Sequence, residues 1–333
     1  AFETVRAHAP PPPVEARIER YLRAIRRRAE RYETTVSGYL ELGGGHDSNV
    51  NSATGEEELT LDVSGATATP TLPPDATEQA DTFARLEGRA RVSHPVAPDV
   101  NLIGEVGARG RFHDDERRFD TATLDGLFGA LLRRPDWRLQ GTVELGRFYL
   151  DDEAYRDRIG VSGAYRLSLS ERSTASLSLD VVDFRYATRE VLDSTLWLLA
   201  GGLARTLETE ARATLSTRVF LGAERADDDS RRARADAERD LVGARAGLRL
   251  WLASRWTLRG AAEARLSDYA QARLGFGEAR EEAYYRLELA LDWRPDARWR
   301  IGPRLRLTRN DSNIALYEYD RAEFQIRARY DFH

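Results

Sequence analysis

The sequence contains no cysteine, no methionine and no lysine. Because cysteine is absent, a disulfide framework, thiol chemistry and a cysteine-ligated metal site are all excluded. No signal peptide is visible at Ala1, so we expect a processed chain or a piece of a longer one. All 50 basic residues are arginines, which we interpret as codon bias. The net charge of −5 is too small to indicate a nucleic-acid partner.

Long hydrophobic runs are absent as well. No stretch of the sequence approaches the ~18 consecutive apolar residues that a transmembrane helix needs. The mean hydropathy is −0.55, although 41% of the residues are hydrophobic. Strands of a membrane β-barrel alternate apolar and polar residues, so their average hydropathy resembles that of a soluble protein. The low mean hydropathy therefore leaves a membrane β-barrel possible.

Residues 1–33 differ from the rest of the chain. A short proline run, Pro10 to Pro13, precedes apolar residues at helical spacing, which are Val14, Ile18, Leu22, Ile25 and Ala29. This spacing predicts one amphipathic helix over 14–32. Because a lone amphipathic helix needs a partner surface, we expect residues 1–33 to be the end of a periplasmic helical domain. Residues 34–333 form the second predicted domain.

From Thr34 onward the apolar residues recur with period two. The last predicted strand has an apolar face, from Phe324 to Phe332, and a polar face with Gln325, Arg327 and Arg329. In a soluble sandwich the apolar face would cover a second sheet, whereas in a membrane barrel it would meet lipid. The pattern recurs in about 14 segments, which lie near 34–46, 80–95, 100–112, 120–133, 137–149, 155–169, 173–186, 194–205, 211–224, 240–251, 256–269, 282–294, 298–309 and 318–332.

An even number of strands of this length is typical of bacterial outer-membrane barrels. We therefore predict an all-β fold, an antiparallel transmembrane β-barrel of about 14 strands, with a short N-terminal periplasmic α-helix. The predicted turns at 97–99, 134–136, 170–172, 206–210, 252–255 and 295–297 are short, and most other connections are longer. Short turns are periplasmic in such barrels, so both termini are expected in the periplasm and the wall in contact with lipid and lipopolysaccharide.

Tryptophans near the short turns support the same interpretation. Aromatic girdles mark the two interfaces of a membrane barrel. We assign one girdle to Trp137, Trp251, Trp256, Trp293 and Trp299. The other, at the long-loop end, is assigned to Phe112, Phe148, Tyr149, Tyr155, Phe184, Tyr186, Tyr269, Tyr284, Tyr317 and Tyr319.

The inward phase of the predicted strands is rich in arginine. The residues predicted to line the lumen are Arg245, Arg249, Arg259, Arg265, Arg286, Arg304, Arg306, Arg327, Arg329, Glu263, Glu288 and Asp292. Two interpretations remain open. The charges form ion pairs that brace the wall, since a polar interior must be satisfied, or the excess arginine makes an anion-attracting pore.

No catalytic constellation stands out, and we expect neither an enzyme nor a cofactor. His46 and Asp47 open the first long loop, but no second ligand follows at metal-binding spacing, so no metal site is predicted. The run from Gly43 to Gly45 is not followed by a helix and is no phosphate-binding loop; we expect it to let the chain bend at the rim.

Two segments near the ends of the chain resemble a known family. The first is GYLELGGGHDSNVN, from Gly38 to Asn51, which follows the predicted helix; the second runs from Asn310 to Phe332. Together they resemble the surface lipoprotein assembly modifier family. The matching positions are Asp47, Ser48, Asn49, Asn51, Asn313, Tyr319, Asp320 and Arg321. Such barrels usually end in phenylalanine, whereas here His333 follows Phe332.

The resemblance implies a periplasmic tetratricopeptide domain joined to a 14-stranded outer-membrane barrel that helps deliver lipoproteins to the cell surface. The expected function is thus translocation or assembly of surface proteins or lipoproteins, with a client lipoprotein or a periplasmic partner bound through the N-terminal helix. The alternatives are an anion-preferring, porin-like channel and an exporter of an anionic polysaccharide. The first function needs a lateral seam between the first and last strands, and a channel needs an open pore.

Overall fold

The computed structural model describes residues 33–63, 66–208 and 212–333. The helix predicted over 14–32 lies outside the described residues. Within them, strands account for most of the residues, and the connections contain one short α-helix, α1 (Arg231–Asp236), and four single-turn 3-10 helices. No helix in the described ranges is long and apolar enough to cross a membrane.

The described residues form strands β1 (Thr35–Asp47), β2 (Leu61–Val63), β3 (Ala66–Ala68), β4 (Asp81–Ala97), β5 (Val100–His113), β6 (Thr121–Arg133), β7 (Trp137–Leu150), β8 (Glu153–Ser170), β9 (Ser173–Tyr186), β10 (Ser194–Leu207), β11 (Ala213–Ala226), β12 (Arg239–Ala253), β13 (Trp256–Ala272), β14 (Ala279–Trp293), β15 (Trp299–Ser312) and β16 (Tyr319–Phe332).

Fourteen of these strands form one closed antiparallel barrel, which confirms the predicted fold class and strand number. From β4 to β16 each strand pairs with the next one along the chain, and β1 closes the ring between β4 and β16. The remaining strands, β2 and β3, pair only with each other, in the connection between β1 and β4. Closure removes every free strand edge from the main sheet.

Burial in the barrel is the inverse of burial in a soluble protein. Leu42, Val106 and Phe128 each expose more than 60% of their surface, whereas Asp47 and Asp292 are at most 1% exposed. An apolar belt around the whole outer wall exceeds by far the apolar patches of soluble monomers. The outer wall therefore faces lipid, and the soluble-sandwich alternative is excluded.

The connections alternate in length as predicted, with one exception. Residues 151–152 join β7 to β8 at the long-loop end, where the neighbouring connections are longer. Asp151 and Asp152 have φ values of 53° and 60°. Two consecutive left-handed residues form the tight turn that suits a twisted two-residue hairpin, and aspartate tolerates this conformation.

Two loop elements were missed by the sequence analysis. The β2–β3 hairpin lies in the connection predicted over 47–79, and α1 lies in the one predicted over 225–239. The Ser230 hydroxyl caps α1 by accepting a hydrogen bond from the Ala233 amide, and Ala233 and Ala235 form the buried face of the helix. Elements this short carry too few residues for a periodic pattern to appear.

Candidate functional site

The strands β1 and β16 meet at what we call the seam. Their register runs from Gly38 opposite Phe332 to Asp47 opposite Glu323. The pairing of β1 with β4 is longer, from Thr35 opposite Ser93 to Asp47 opposite Asp81. The seam joins the segments of the barrel that are farthest apart in sequence, so no short hairpin holds its strands together. Its closure depends on backbone pairing and on side chains that cross it.

One set of crossing contacts lies where β1 ends at the long-loop end, and we call Asp47, Ser48, Asn49 and Arg321 the latch. Arg321 donates from Nε to Asp47 Oδ1 at 3.0 Å and from Nη2 to Asp47 Oδ2 at 2.5 Å. Asp47 is fully buried. A bidentate contact between arginine and a carboxylate is one of the strongest polar contacts that side chains make.

The other two latch residues extend the strand pairing into the loop. The Ser48 amide donates to the Ala322 carbonyl at 3.0 Å, and the Ala322 amide donates to Ser48 Oγ at 2.9 Å. Asn49 Nδ2 donates to the Asp320 carbonyl at 3.0 Å, while Asn49 Oδ1 accepts from the Ala53 amide at 3.0 Å. The buried Asn49 side chain therefore ties its own loop to the start of β16.

Glu323 adds a cluster of charges beneath the latch. It accepts from Arg111 Nη1 at 2.6 Å and from Arg306 Nη1 at 2.9 Å. Arg111 also contacts Asp47, so it joins β5 to both strands of the seam. Acids and arginines alternate here, which satisfies groups that would otherwise be buried without partners.

A second group of ion pairs crosses the seam nearer to the short turns. Arg327 donates to Glu41 Oε2 at 2.9 Å and to Asp292 Oδ1 at 2.7 Å. Arg259 Nε lies 2.8 Å from Asp292 Oδ2. The chain of contacts thus runs from β1 through β16 and β14 to β13. Arg327 is 8% exposed and Glu41 is 6% exposed, so breaking one partner would leave a buried charge.

The remaining residues predicted to line the lumen divide into paired and unpaired arginines. Arg304 and Arg306 lie near Glu288, at 2.8 and 3.4 Å. The other pairs are Arg245 with Glu263 at 3.0 Å, Arg329 with Asp331 at 2.7 Å, and Arg286 with the Tyr284 hydroxyl at 2.7 Å. In the described part of the chain, Arg249 and Arg265 have no ion pair; their guanidinium groups lie over the rings of Trp251 and Tyr284, at 5.9 and 4.7 Å.

The tryptophan assignment needs one correction. Trp256 and Trp293 lie on the outer face with their ring centroids 6.5 Å apart, and two further contacts join Trp299 to Tyr330 at 5.1 Å and Trp137 to Tyr165 at 5.9 Å. Trp251, however, stands opposite Thr257, which is buried. Strict alternation along β12 places it on the face of Arg249, so it is not a girdle residue.

Six aromatic residues assigned to the other girdle are also misplaced, because strict alternation along their strands puts them on the inner face: Phe148, Phe184, Tyr186, Tyr269, Tyr284 and Tyr319. Tyr269 and Tyr284 are 9% and 6% exposed and occupy the inner phase of β13 and β14, beside Arg239 and Arg286. Aromatic residues near strand ends were assigned by position alone, without their phase. Tyr317 lies in the turn before β16, where burial raises the pKa of its hydroxyl, so it is uncharged at neutral pH.

The other motif positions hold individual loops. Asn51 donates to the Thr77 carbonyl at 2.7 Å within the first loop. Asn313 donates to the Ala279 carbonyl at 2.8 Å and accepts from the Glu281 amide at 2.8 Å. Outside the latch contacts, Tyr319 stands opposite Asn310 in the β15–β16 register, and Asp320 lies 3.9 Å from Arg309. The structure therefore gathers only part of the motif at the seam.

The glycine run lies inside β1, which continues to Asp47, so it does not bend the chain after the strand as expected. A methyl group on Gly45 would overlap the Phe324 carbonyl oxygen of β16. Glycine thus permits the close approach of the two seam strands. Glu41, Arg111 and Glu323 were missed by the sequence analysis, although their inward phase was readable. No cluster of three or more potential metal ligands occurs in the described residues.

Comparisons with solved structures find other barrels at low identity. OmpT of Vibrio cholerae matches with 8% identity, 90% of this chain and 98% of that chain covered, and a TM-score of 0.48. A Pseudomonas aeruginosa FadL homologue has 8% identity, 90% coverage of both chains and a TM-score of 0.49. An anion-selective porin from Comamonas acidovorans has 10% identity, coverages of 90% and 99%, and a TM-score of 0.44. All three TM-scores are below 0.5, so these structures say nothing about the function of this chain.

No curated protein matches the sequence significantly. The model of the surface lipoprotein assembly modifier family matches residues 38–332, nearly all of the described barrel. The closed sheet and its apolar outer belt make the protein an integral protein of the bacterial outer membrane. The chain belongs to the surface lipoprotein assembly modifier family.

Proposed function

We propose that the barrel acts in the translocation or assembly of surface lipoproteins, and that the seam is the place where it engages a client. The observation that carries this proposal is the latch, in which residues from near both ends of the barrel sequence close the seam through polar contacts. Polar contacts can be exchanged for contacts with water or with polar groups of another chain. Opening the latch would expose the edges of β1 and β16.

An opened seam offers a defined binding chemistry. Unpaired N–H and C=O groups on a strand edge pair readily with an extended segment of another protein. β1 carries three consecutive glycines, Gly43 to Gly45, and glycine in a strand contributes no side chain to packing. The β1 strand therefore contributes less side-chain packing to the seam than β16 does. We propose that a client segment pairs with the β1 edge transiently. The proposal assigns no catalysed reaction to the barrel.

The alternation of connection lengths supports an orientation for this activity. We propose that the short turns face the periplasm, as in other outer-membrane barrels, and that both chain ends lie there too. The latch then lies at the outer surface. A periplasmic partner or client bound through the helix predicted over 14–32 remains part of the proposal.

The absence of natural cysteine allows a direct test of seam opening. Leu42 lies opposite Ala328 across the seam and opposite Leu86 on the other side of β1. Register partners in antiparallel sheets are ~4.5–5.5 Å apart, within the range of a disulfide. We would compare Leu42→Cys/Ala328→Cys with the matched control Leu42→Cys/Leu86→Cys, in cells in which each variant replaces the natural protein.

Surface lipoproteins would be counted by labelling intact cells with a membrane-impermeant reagent. Oxidation of the seam pair should abolish lipoprotein exposure and reduction should restore it, while the control pair should behave like the unmodified protein under both conditions. Normal exposure with a fully oxidised seam pair would contradict seam opening. Loss of exposure with both pairs would also contradict it, since the defect would then not be specific to the seam.

The unpaired arginines favour a second candidate, an anion-preferring channel or an exporter of an anionic polysaccharide. Arg249 and Arg265 have no carboxylate partner among the described residues, so their charge is available to attract anions. Reversal potentials in planar bilayers under a salt gradient test this candidate. Anion preference that weakens in Arg249→Gln would support it, whereas cation preference or no conductance would remove it.

A further inference from the structure

The long-loop end of the barrel contains a cavity of about 560 Å³, which we call the vestibule pocket. Residues from four connections and adjacent strand ends converge on it, and its polar lining consists of Arg189, Arg232, Asp236, Arg273, Arg280 and Tyr317. Pockets that hold small organic ligands have volumes of ~300–1,000 Å³. The vestibule pocket is thus larger than a bare inorganic ion requires.

Positive charge exceeds negative charge in this pocket. Asp236 pairs with Arg273 and lies 3.9 Å from Arg232 Nε. Glu282, just outside the lining, has Oε1 3.5 Å from Arg280 Nε. Two carboxylates therefore face four guanidinium groups. Arg189 has no ion pair in the part of the chain that the structure describes, so the pocket holds a net positive field.

Arg280 is held in a fixed orientation. Its guanidinium carbon lies 3.7 Å from the centroid of the Tyr269 ring and 3.9 Å from that of the Tyr317 ring. The residue is only 7% exposed. Stacking on two rings fixes the plane of the guanidinium group and leaves its edge for hydrogen bonding. A pre-organised arginine edge of this kind matches the oxygen pairs of a phosphate group.

We propose that the vestibule pocket binds a phosphate group carried on a sugar. A phosphate monoester carries nearly two negative charges at neutral pH, which matches the two uncompensated guanidinium groups. The rest of the lining includes Val191, Leu192 and Leu316, which offer apolar contacts to the C–H faces of a sugar ring. The phosphorylated sugar has two possible sources, a soluble sugar phosphate and the headgroup of lipopolysaccharide.

The test is calorimetric titration of the barrel, folded in detergent free of lipopolysaccharide, with glucose 1-phosphate. Saturable binding is expected, and glucose alone should not bind. Arg189→Gln and Arg280→Gln should each weaken binding about tenfold or more, the order that one charge-assisted hydrogen bond contributes. Arg189 is exposed, so its variant keeps the test valid if Arg280→Gln fails to fold.

The matched control is Arg138→Gln, which removes an exposed arginine of β7 outside the pocket and should leave the affinity unchanged. No saturable binding, or equal affinity in Arg189→Gln, would overturn the proposal. Inorganic phosphate that binds as tightly as glucose 1-phosphate would also contradict it, because the sugar would then contribute nothing. Competition by purified lipopolysaccharide identifies the lipid headgroup as the source, and its absence identifies the soluble sugar phosphate.

Discussion

The inner wall has two unlike regions. The seam wall, made of β1, β14, β15 and β16, carries buried ion pairs that include Glu41, Asp292 and Arg327. The far wall, made of β9, β10 and β11, presents mainly small residues, which include Ser176, Ser178, Ala200, Gly202 and Ser216. Midway along these strands Arg218 lies 3.8 Å from Asp180 in a partly exposed ion pair, and at the long-loop end Glu224 pairs with Arg239 of β12 at 2.9 Å.

This contrast follows from how each strand pair is connected. Strands of the far wall are joined by direct connections, so their pairing is local in sequence. The seam pairs residues 276 to 294 positions apart, from Asp47 opposite Glu323 to Gly38 opposite Phe332, and closing so long a loop costs more conformational entropy. The buried charges at the seam supply specific contacts where the chain supplies no hairpin. The same contacts make the seam the region most sensitive to loss of a single side chain.

The largest expected effect is the loss of an acid at the latch. Asp47→Ala removes the partner shared by Arg111 and Arg321 and should lower the free energy of unfolding by about 3 kcal/mol, as for other broken buried pairs. Asp180→Ala on the far wall should cost at most about 1 kcal/mol. Urea titration in lipid vesicles measures both. Equal losses of unfolding free energy in the two variants would contradict the proposed difference between the two walls.

Charge should cost more on the outer face of the barrel than on the inner face of the same strand. Ala262→Arg places a charge against lipid and should cost ~2–4 kcal/mol, whereas Ala261→Arg, next along β13 on the inner face, should cost much less. Leu289→Arg and Ala290→Arg form a second pair on β14. Folding yields in lipid vesicles report the difference. Equal yields within each pair would refute the phase of both strands.

Replacing a glycine by alanine should also lower the free energy of unfolding more at the seam than on the far wall, with a smaller difference between the two. Gly45→Ala at the seam would overlap the Phe324 carbonyl and should cost ~1–3 kcal/mol, as overpacking does. Gly201→Ala in β10 meets no atom within 4 Å and should change stability by less than ~0.5 kcal/mol. The same urea titration compares them. A tolerated alanine at position 45 would show that the seam strands can move apart cheaply.

The smallest effect concerns a turn beside the seam wall. Asp296 accepts hydrogen bonds from the amides of Arg298 and Trp299, at 2.7 and 2.9 Å, and these bonds hold the pKa of its carboxyl below the usual range. A lowered pKa stabilises the fold above the usual carboxyl pKa of ~4, and this stabilisation is lost as pH falls through the folded-state value. Asp296→Ala should therefore be slightly less stable than the natural chain at pH 7. Urea titrations should show a smaller stability difference between the two proteins at pH 3 than at pH 7. An equal difference at both pH values would mean that the carboxylate charge of Asp296 does not cause it.

Much of the fold was readable from the sequence because the period-two pattern is local. The alternation in β16, from Phe324 to Phe332, gave both the strand and its two faces, and the same pattern gave the strand number. Trp251 was misassigned because its position near a turn was weighed without its phase. The latch was not predictable from the pattern, since Asp47 and Arg321 meet only after the barrel closes. Their positions were marked by family resemblance alone.

Hydrogen exchange of backbone amides tests most directly whether side chains, rather than backbone pairing alone, keep the seam closed. Local opening raises exchange only in the segment that opens. In Asp47→Ala, amides from Gly43 to Asp47 and from Glu323 to Gln325 should lose protection, while those of β9 and β10 should keep theirs. Unchanged protection at the seam, or an equal loss in β9 and β10, would contradict the account.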